Sequence, residues 1–373
     1  MTYEPPGWTE FDSAVEGDPY SEYHYRLNEN GNLVHFGTEP KDYGTGVYVG
    51  LADKFIRKEQ GKPFFVYLNT YAPHKPATPA PQDVNLFPNA KAPRTPAFND
   101  LNESAKPGWL RRLLPLKAPG IARIDALYRL RLQSLQAVDR GIANLIATLK
   151  DTHQLANTYF VFSSDNGFHL GQFRLPAGKE TAYDTDIRVP LIVRGPGVPA
   201  HRKCGFMFGN IDLAPTFARL AGASVPTWVD GRSFATQMHF PSFDLHPRKA
   251  YLVEHWKEAR TEHIGPGPTE PADLDAGADA DGTIITAAPG VPKPRSDLVP
   301  DFHGVRTTKY LYVEYMFGGR ELYDTKTDPY ELDNLVNVPA EAPLVAHLHN
   351  LVARLEVCSA ADCRRLENTP VRA

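Results

Sequence analysis

Three cysteines in 373 residues are too few for a disulfide-built framework, and none has the two-residue spacing of a zinc knuckle. Charge of one sign is also missing. Forty Lys and Arg face 44 Asp and Glu, a net charge of −4, which gives no footprint for nucleic acid or an anionic membrane surface. No apolar run approaches the length of a bilayer span. The opening MTYEPPGWTEFD has none of the charged-then-apolar layout of a secretory leader, and no internal repeat is visible.

What is present is an ordinary apolar content and enough length for one large domain or a large one plus a smaller one. The richest stretch is Tyr159 to Pro196. It opens on a β-branched and aromatic run, Tyr159 to Phe162, of the kind that fills buried strands. The turn Ser163-Ser164-Asp165-Asn166-Gly167 follows, then His169, Gln172 and Lys179, before a second apolar run, Val189 to Val193. Acid, amide, imidazole and ammonium groups are thus held between two strands, where α/β enzymes place their chemistry.

Around this stretch the pattern alternates. Asn28 to Asn32 reads as a hairpin turn, and Val47 to Glu59 as a helix with Val47, Leu51, Phe55 and Ile56 on one face. Phe64 to Asn69 reads as a strand covered on both faces, leading to His74 between Pro73 and Pro76. Ala77 to Pro119 is proline-rich and irregular, as a lid or substrate-facing surface would be. Ile121 to Lys150 is the clearest helix, and Asp212 to Ala221 a short one stopped by Gly222. Tyr251 to Trp256 reads as a strand, and 261–300 as a mobile insertion. His303 to Tyr315 and Glu321 to Tyr323 form an antiparallel pair turning at Gly318-Gly319, and Leu344 to Leu355 is a final helix.

Several groups could carry chemistry. Asp165 and Asn166 offer hard oxygens for calcium or magnesium, or simply make an Asp-Asn-Gly turn. The Lys179 ammonium could hold a tetrahedral oxyanion, or be solvated. His74 is either an acid/base group or a turn-packing residue. His169 and Gln172 could bond a sugar, or satisfy the loop backbone. Cys358 and Cys363 could close a small loop or stand as two thiols.

Four ordered blocks, PFFVYLNTYAPHKP, TYFVFSSDNGFHLGQ, GKETAYDTDIRVPLIVRGPG and GVRTTKYLYVEY with RELYDTKTDPYELDNL, closely resemble the sulfatase family of the alkaline phosphatase superfamily. Within it DNGFHLGQFRLP is most similar to N-acetylglucosamine-6-sulfatases. The resemblance implies an α/β fold with a mostly parallel central sheet flanked by helices, incomplete at its N-terminal part, and a small C-terminal α+β subdomain. The expected boundaries are a catalytic domain over 1–245 and a C-terminal subdomain over 246–373. Asp165 and Asn166 match the family's Ca²⁺ ligands, Lys179 the lysine that grips the sulfate, and His74 the histidine that can protonate the departing alcohol. His169 and Gln172 are assigned to substrate binding.

The resemblance also shows what is lacking. No Cys-x-Pro-Ser-Arg, the motif whose cysteine becomes the formylglycine nucleophile, occurs among these residues, nor does the family's Gly-Lys-x-His block or its paired aspartates. The sequence therefore reads as the later part of a sulfatase, with nucleophile and leader expected upstream. Alone it is expected to be inactive, with a half-built metal site and an exposed sheet edge. The implied partner is a sulfated sugar or glycosaminoglycan, and the implied setting is secreted, periplasmic or lysosomal. The competing readings are a phosphoester hydrolase of the same superfamily and a non-catalytic remnant that binds sulfated glycans. Tyr43-Gly44-Thr45-Gly46 departs from the family, and its two glycines should weaken the helix start.

Overall fold

The computed structural model describes residues 2–243, 247–256 and 299–371. From the N-terminus run β1 (Asp12–Gly17), β2 (Tyr25–Glu29), β3 (Asn32–Phe36), α1 (Gly44–Lys58), α2 (Gly108–Arg111) and α3 (Ala118–Asp151). Then come β4 (Phe160–Ser163), α4 (Asp184–Ile187), β5 (Leu191–Arg194), α5 (Leu213–Leu220) and α6 (Ala235–His239). The last elements are β6 (Ala250–His255), β7 (Phe302–Thr307), β8 (Tyr310–Tyr315), β9 (Arg320–Asp324), α7 (Ala342–Leu355) and α8 (Ala361–Leu366). They fall into two compact units. The first holds residues up to 93 and 117–158; the second holds 94–116 and the described residues from 159 onward.

In the first unit β1, β2 and β3 form an antiparallel sheet of that order. The β2–β3 turn is Asn30-Gly31, with φ of 48° and 84°, the left-handed pair that a tight hairpin needs and that Asn-Gly supplies at least strain. Tyr25 and Leu27 of this sheet bury against Tyr48 of α1, with Leu68 and Tyr71 packed on the cluster. Of the expected face of α1, Ile56 is buried and Val47 and Leu51 pack against this cluster, while Thr45, Tyr48, Val49 and Ala52 are also buried because the sheet and α3 cover the helix from the Tyr48 side.

The helix start is supported by a device that the local sequence hides. The Glu22 carboxylate is buried and accepts the Thr45 N–H at 2.6 Å and the Thr45 hydroxyl at 3.1 Å, so it satisfies an otherwise orphan donor of the first turn.

Phe64–Asn69 is extended but joins no ladder among the described residues. Its burial alternates: Leu68 packs inward while Phe65 and Tyr67 are exposed. The expectation of a strand covered on both faces is corrected to one covered face. The α/β class, with helices and sheets and a C-terminal antiparallel subdomain, holds. Within each unit, every ladder among the described residues is antiparallel.

In the second unit β4 and β5 pair antiparallel, Phe160 with Arg194 and Ser163 with Leu191. A four-stranded meander, β6-β7-β8-β9, has cores on both faces. On one side Tyr312, Val305 and Leu322 bury against Leu344, Leu348, Leu351 and Leu355 of α7. On the other, Phe302, Leu311, Val313 and Tyr323 bury against Phe173, Leu175 and Tyr183, which belong to the β4–β5 connection. The expected single run His303 to Tyr315 is two strands, with a turn at Thr308-Lys309 that carries no glycine or proline to announce it. Cys358 and Cys363 are joined in a disulfide, and Cys204 is exposed and outside it. The expected mobile insertion, 261–300, lies outside the described residues but for its last two positions.

Burial raises the Glu22 carboxyl from 4.5 to about 7, against the lowering effect of its bonds to Thr45. The folded pKa exceeds the unfolded one, so this group's stabilisation is complete below pH 4.5 and is lost as pH rises through 7. The loss is roughly 3 kcal/mol at most. Glu22→Gln should therefore remove that part of the decline. Urea unfolding of both proteins from pH 4.5 to 8 checks it, and a pH-independent difference between them would contradict it.

Candidate active-site loop

The residues between β4 and β5 form a loop with few helical or strand bonds of its own, so side chains have to hold it. The polar turn begins at Ser163, whose hydroxyl donates to the Pro190 carbonyl at 2.9 Å. Asp165 is exposed; its Oδ1 accepts from the Asn166 N–H at 2.9 Å and from Ser164 Oγ at 3.3 Å. The Asn166 amide nitrogen donates to the Gly167 carbonyl at 2.8 Å. Asp165 Oδ2 and Asn166 Oδ1 are left without protein donors among the described residues. Asn210, just before α5, donates to the carbonyls of Ser164 and Asp165 at 3.1 and 3.0 Å and fixes the turn from behind.

Gly167 passes directly against α4. Its N–H donates to the Asp186 carbonyl at 2.7 Å, and a Cβ there would lie 2.1 Å from the Thr185 carbonyl oxygen, so only glycine fits. Phe168 N–H follows onto Thr185 O at 2.8 Å. His169 then pairs its backbone with Gly178 in both directions, at 2.8 and 3.1 Å, which brings Lys179 alongside the start of the loop.

The Asp186 side chain closes this arrangement. It is buried, and its Oδ2 accepts from the Thr181 N–H at 2.9 Å, the Thr181 hydroxyl at 2.6 Å and His169 Nδ1 at 2.9 Å. A carboxylate can only accept here, so Nδ1 carries the proton and Nε2 is the imidazole's free position. Nε2 is buried and has no partner. Gln172 is also buried, its Oε1 accepting the Leu170 N–H at 2.6 Å. Both side chains are thus engaged within the loop. Lys179 is half-buried, and the next residue, Glu180, sits at φ 79°. Phe173 and Arg174 are also left-handed, at φ 54° and 64°. Three non-glycine residues in that region mark a loop held in shape by its surroundings.

Those surroundings are anchored in the meander. Arg306 of β7 grips Asp184 with two bonds, at 2.7 and 3.0 Å. The Glu331 carboxylate accepts the Asp184 N–H, and burial followed by the Asp184 charge pushes it up to about 8. Lys106 lies 3.9 Å from the Phe173 ring centroid and 4.6 Å from that of Tyr183, and donates to the Tyr323 hydroxyl at 2.8 Å. Beneath it Glu321, fully buried, accepts from the hydroxyls of Tyr183, Tyr315 and Tyr323. Sequence reasoning missed Asp186, Arg306, Lys106 and Glu321; only the acidic DTDI ahead of an apolar run hinted at the first.

Five of the six expected site residues, Asp165, Asn166, His169, Gln172 and Lys179, therefore share one loop of the second unit. His74 belongs to the first unit, in the turn after Phe64–Asn69. Its Nδ1 donates to the Lys75 carbonyl at 2.9 Å, and its ring lies 4.6 Å from that of Tyr20.

The sulfatase family matches this chain over residues 5–223. The chain belongs to the sulfatase family. It is 32% identical to the N-acetylglucosamine-6-sulfatase of Homo sapiens over 381 residues, covering 98% of this chain and 65% of that protein. The Capra hircus N-acetylglucosamine-6-sulfatase is 33% identical, over 96% of this chain and 63% of its own length. The chain thus spans somewhat under two-thirds of these relatives. Among solved structures, one described as a complex with its substrate D-glucosamine-2-N,6-O-disulfate superposes with a TM-score of 0.69 at 21% identity, covering 95% of this chain and 77% of that one. A phosphonate monoester hydrolase of Agrobacterium radiobacter gives 0.62 at 19% identity, over 94% and 64%. At these identities the likeness is one of fold.

Sulfatases use a divalent cation. The donor set of the loop fits one in kind, with a carboxylate oxygen and an amide oxygen side by side and unspent. It does not fill the six to eight oxygens of a calcium site. Among the described residues no cluster of three or more His, Cys, Asp or Glu joins them.

Replacing Asp186 should loosen the whole loop. Asp186→Ala leaves buried donors of Thr181 and His169 unpaired and should cost about 3 kcal/mol or more, while Asp186→Asn, which keeps an acceptor, should cost less. Chemical denaturation measures both. Equal, sub-kcal effects would show that the carboxylate is not what holds the loop.

Proposed function

We propose that these residues form the cation- and sulfate-holding part of a sulfuric ester hydrolase acting on sulfated glucosamine. The observation that carries this reading is the loop itself. Asp165 and Asn166 offer unspent oxygens, Lys179 lies on the strand-like segment alongside, and Asp186 ties the two ends together. Relatives named N-acetylglucosamine-6-sulfatases, and a structural neighbour described with a 6-O-sulfated glucosamine, support the substrate class.

The chemistry follows from the bond to be broken. As the S–O bond of a sulfate ester lengthens, negative charge gathers on the sulfate oxygens and on the bridging oxygen. In this reading the Lys179 ammonium meets the non-bridging oxygens, where a charge-assisted hydrogen bond is strongest against the most charged state. His74, placed by its match to the family's histidine, supplies the proton that the departing alcohol needs. Asp165 and Asn166 would hold Ca²⁺, which when bound adds positive charge beside the same oxygens. Of the pair first assigned to substrate, His169 keeps a buried, unspent Nε2, and Gln172 shapes the loop backbone.

The 373 residues contain no Cys-x-Pro-Ser-Arg nucleophile, so this reading assigns them binding rather than turnover. Titration calorimetry with glucosamine 6-sulfate should show binding that Lys179→Ala weakens by about tenfold or more, with no sulfate released. Calcium alone should bind with a dissociation constant of about a millimolar, as expected for so few protein ligands. Tight one-to-one calcium binding, or affinity for the sugar indifferent to Lys179, would overturn the assignment.

A further inference from the structure

A hollow lies at the other end of the β4–β5 ladder from the Asp165-Asn166 turn. It has a volume of about 650 Å³ and is lined by Pro199, His201, Arg202, Lys203, His239 and Phe240, among others. That is within the size range of pockets that take sugars and other small ligands. The cation-bearing turn follows Ser163, which pairs with Leu191, whereas the hollow adjoins the Phe160–Arg194 end. At about 3.3 Å per residue the two ends are separated by roughly 10 Å of strand.

Its chemistry stands out from a chain of near-balanced charge. Three consecutive basic residues, His201, Arg202 and Lys203, are exposed, and none makes an ion pair among the described residues. His201 itself is held at φ 56°. His239 is fixed: its Nε2 lies 3.0 Å from the Tyr159 hydroxyl, which donates in turn to the Pro196 carbonyl at 3.1 Å. Beside these cations two phenyl rings face solvent, Phe240 at 61% and Phe243 at 52% exposure. Single exposed apolar side chains are ordinary, but rings grouped with unpaired cations over one hollow suit a particular ligand. Guanidinium and ammonium groups bind sulfate oxygens, and a phenyl ring covers the C–H face of a sugar.

We propose that this hollow binds a sulfated oligosaccharide, separately from the Lys179 loop. The choice of a sulfated ligand rests on the sulfatase reading; the hollow and its cations do not.

The test uses the full chain and a fluorescently tagged, fully sulfated glucosamine-containing octasaccharide, followed by anisotropy at low and moderate salt. Arg202→Ala with Lys203→Ala should weaken binding about tenfold at low salt and flatten its salt dependence. Phe240→Ala should weaken it severalfold and leave the salt slope unchanged. Binding of the monosaccharide glucosamine 6-sulfate, sensitive to Lys179→Ala, should be untouched by the Arg202 and Lys203 changes. Unchanged octasaccharide affinity in the double variant would overturn the proposal. So would equal affinity for the desulfated octasaccharide, or for single-stranded RNA of matched charge. If Lys179→Ala proves silent toward the monosaccharide while the double variant loses the octasaccharide, the reading of the loop falls and the second site stands.

Discussion

One buried carboxylate organises the candidate site. Asp186 Oδ2 takes three donors at 2.6 to 2.9 Å, two from Thr181 and one from His169, while its backbone carbonyl takes Gly167. A charge placed out of water is tolerable only with such satisfaction, and each donor that satisfies it is in turn fixed in space. Because the side-chain donors flank Lys179 and the Asp-Asn turn rests on the same residue's backbone carbonyl, Asp186 sets the spacing between an ammonium and a pair of hard oxygens. Arg306, gripping Asp184 two residues earlier, passes that constraint into the antiparallel sheet.

A second polar network works on the opposite side of the turn. Arg248 and Asp212 are both fully buried and joined by two bonds, at 2.5 and 2.9 Å, and Glu367 accepts from Arg248 and Arg232 at 2.9 and 2.7 Å. Asp212 also accepts the backbone N–H groups of Gly209 and Arg232. Asn210, between Gly209 and Asp212, is the residue that holds the Ser164 and Asp165 carbonyls. The terminal helix and the Asp165-Asn166 turn are therefore linked through ionic groups, where removing one partner would strand another charge in a dry interior. The loop between β4 and β5, poor in regular structure, gains its shape from these two networks and from the aromatic packing of Phe173 and Tyr183.

The sequence disclosed what local pattern controls. β4, β5, α3, α7 and the Asn30-Gly31 hairpin were legible because periodicity and turn chemistry act over a few residues. The polar loop between two apolar runs that carries five of the six proposed site residues was legible for the same reason. What stayed hidden depends on distant partners. The Tyr43-Gly44-Thr45-Gly46 helix start looked weak because its cap, Glu22, lies 23 positions away from Thr45. The buried face of α1 is set by what covers it, and its own spacing allowed two answers. Asp186 and Lys106 drew no reading at all, because what defines them is tertiary: Lys106 is enclosed by Phe173 and Tyr183 and by Tyr323, 217 positions away. The parallel sheet was inferred from resemblance, and no run of residues could report its pairing.

The central claim is that Asp186 acts on the proposed sulfate cradle by placing Lys179, and a double-mutant cycle tests it. Affinity for glucosamine 6-sulfate is measured for the unaltered chain, Asp186→Asn, Lys179→Ala and the double variant. If the carboxylate works through the lysine, the two losses overlap and the coupling exceeds about 1 kcal/mol. Additive losses would mean that the two side chains act independently, and would contradict the account.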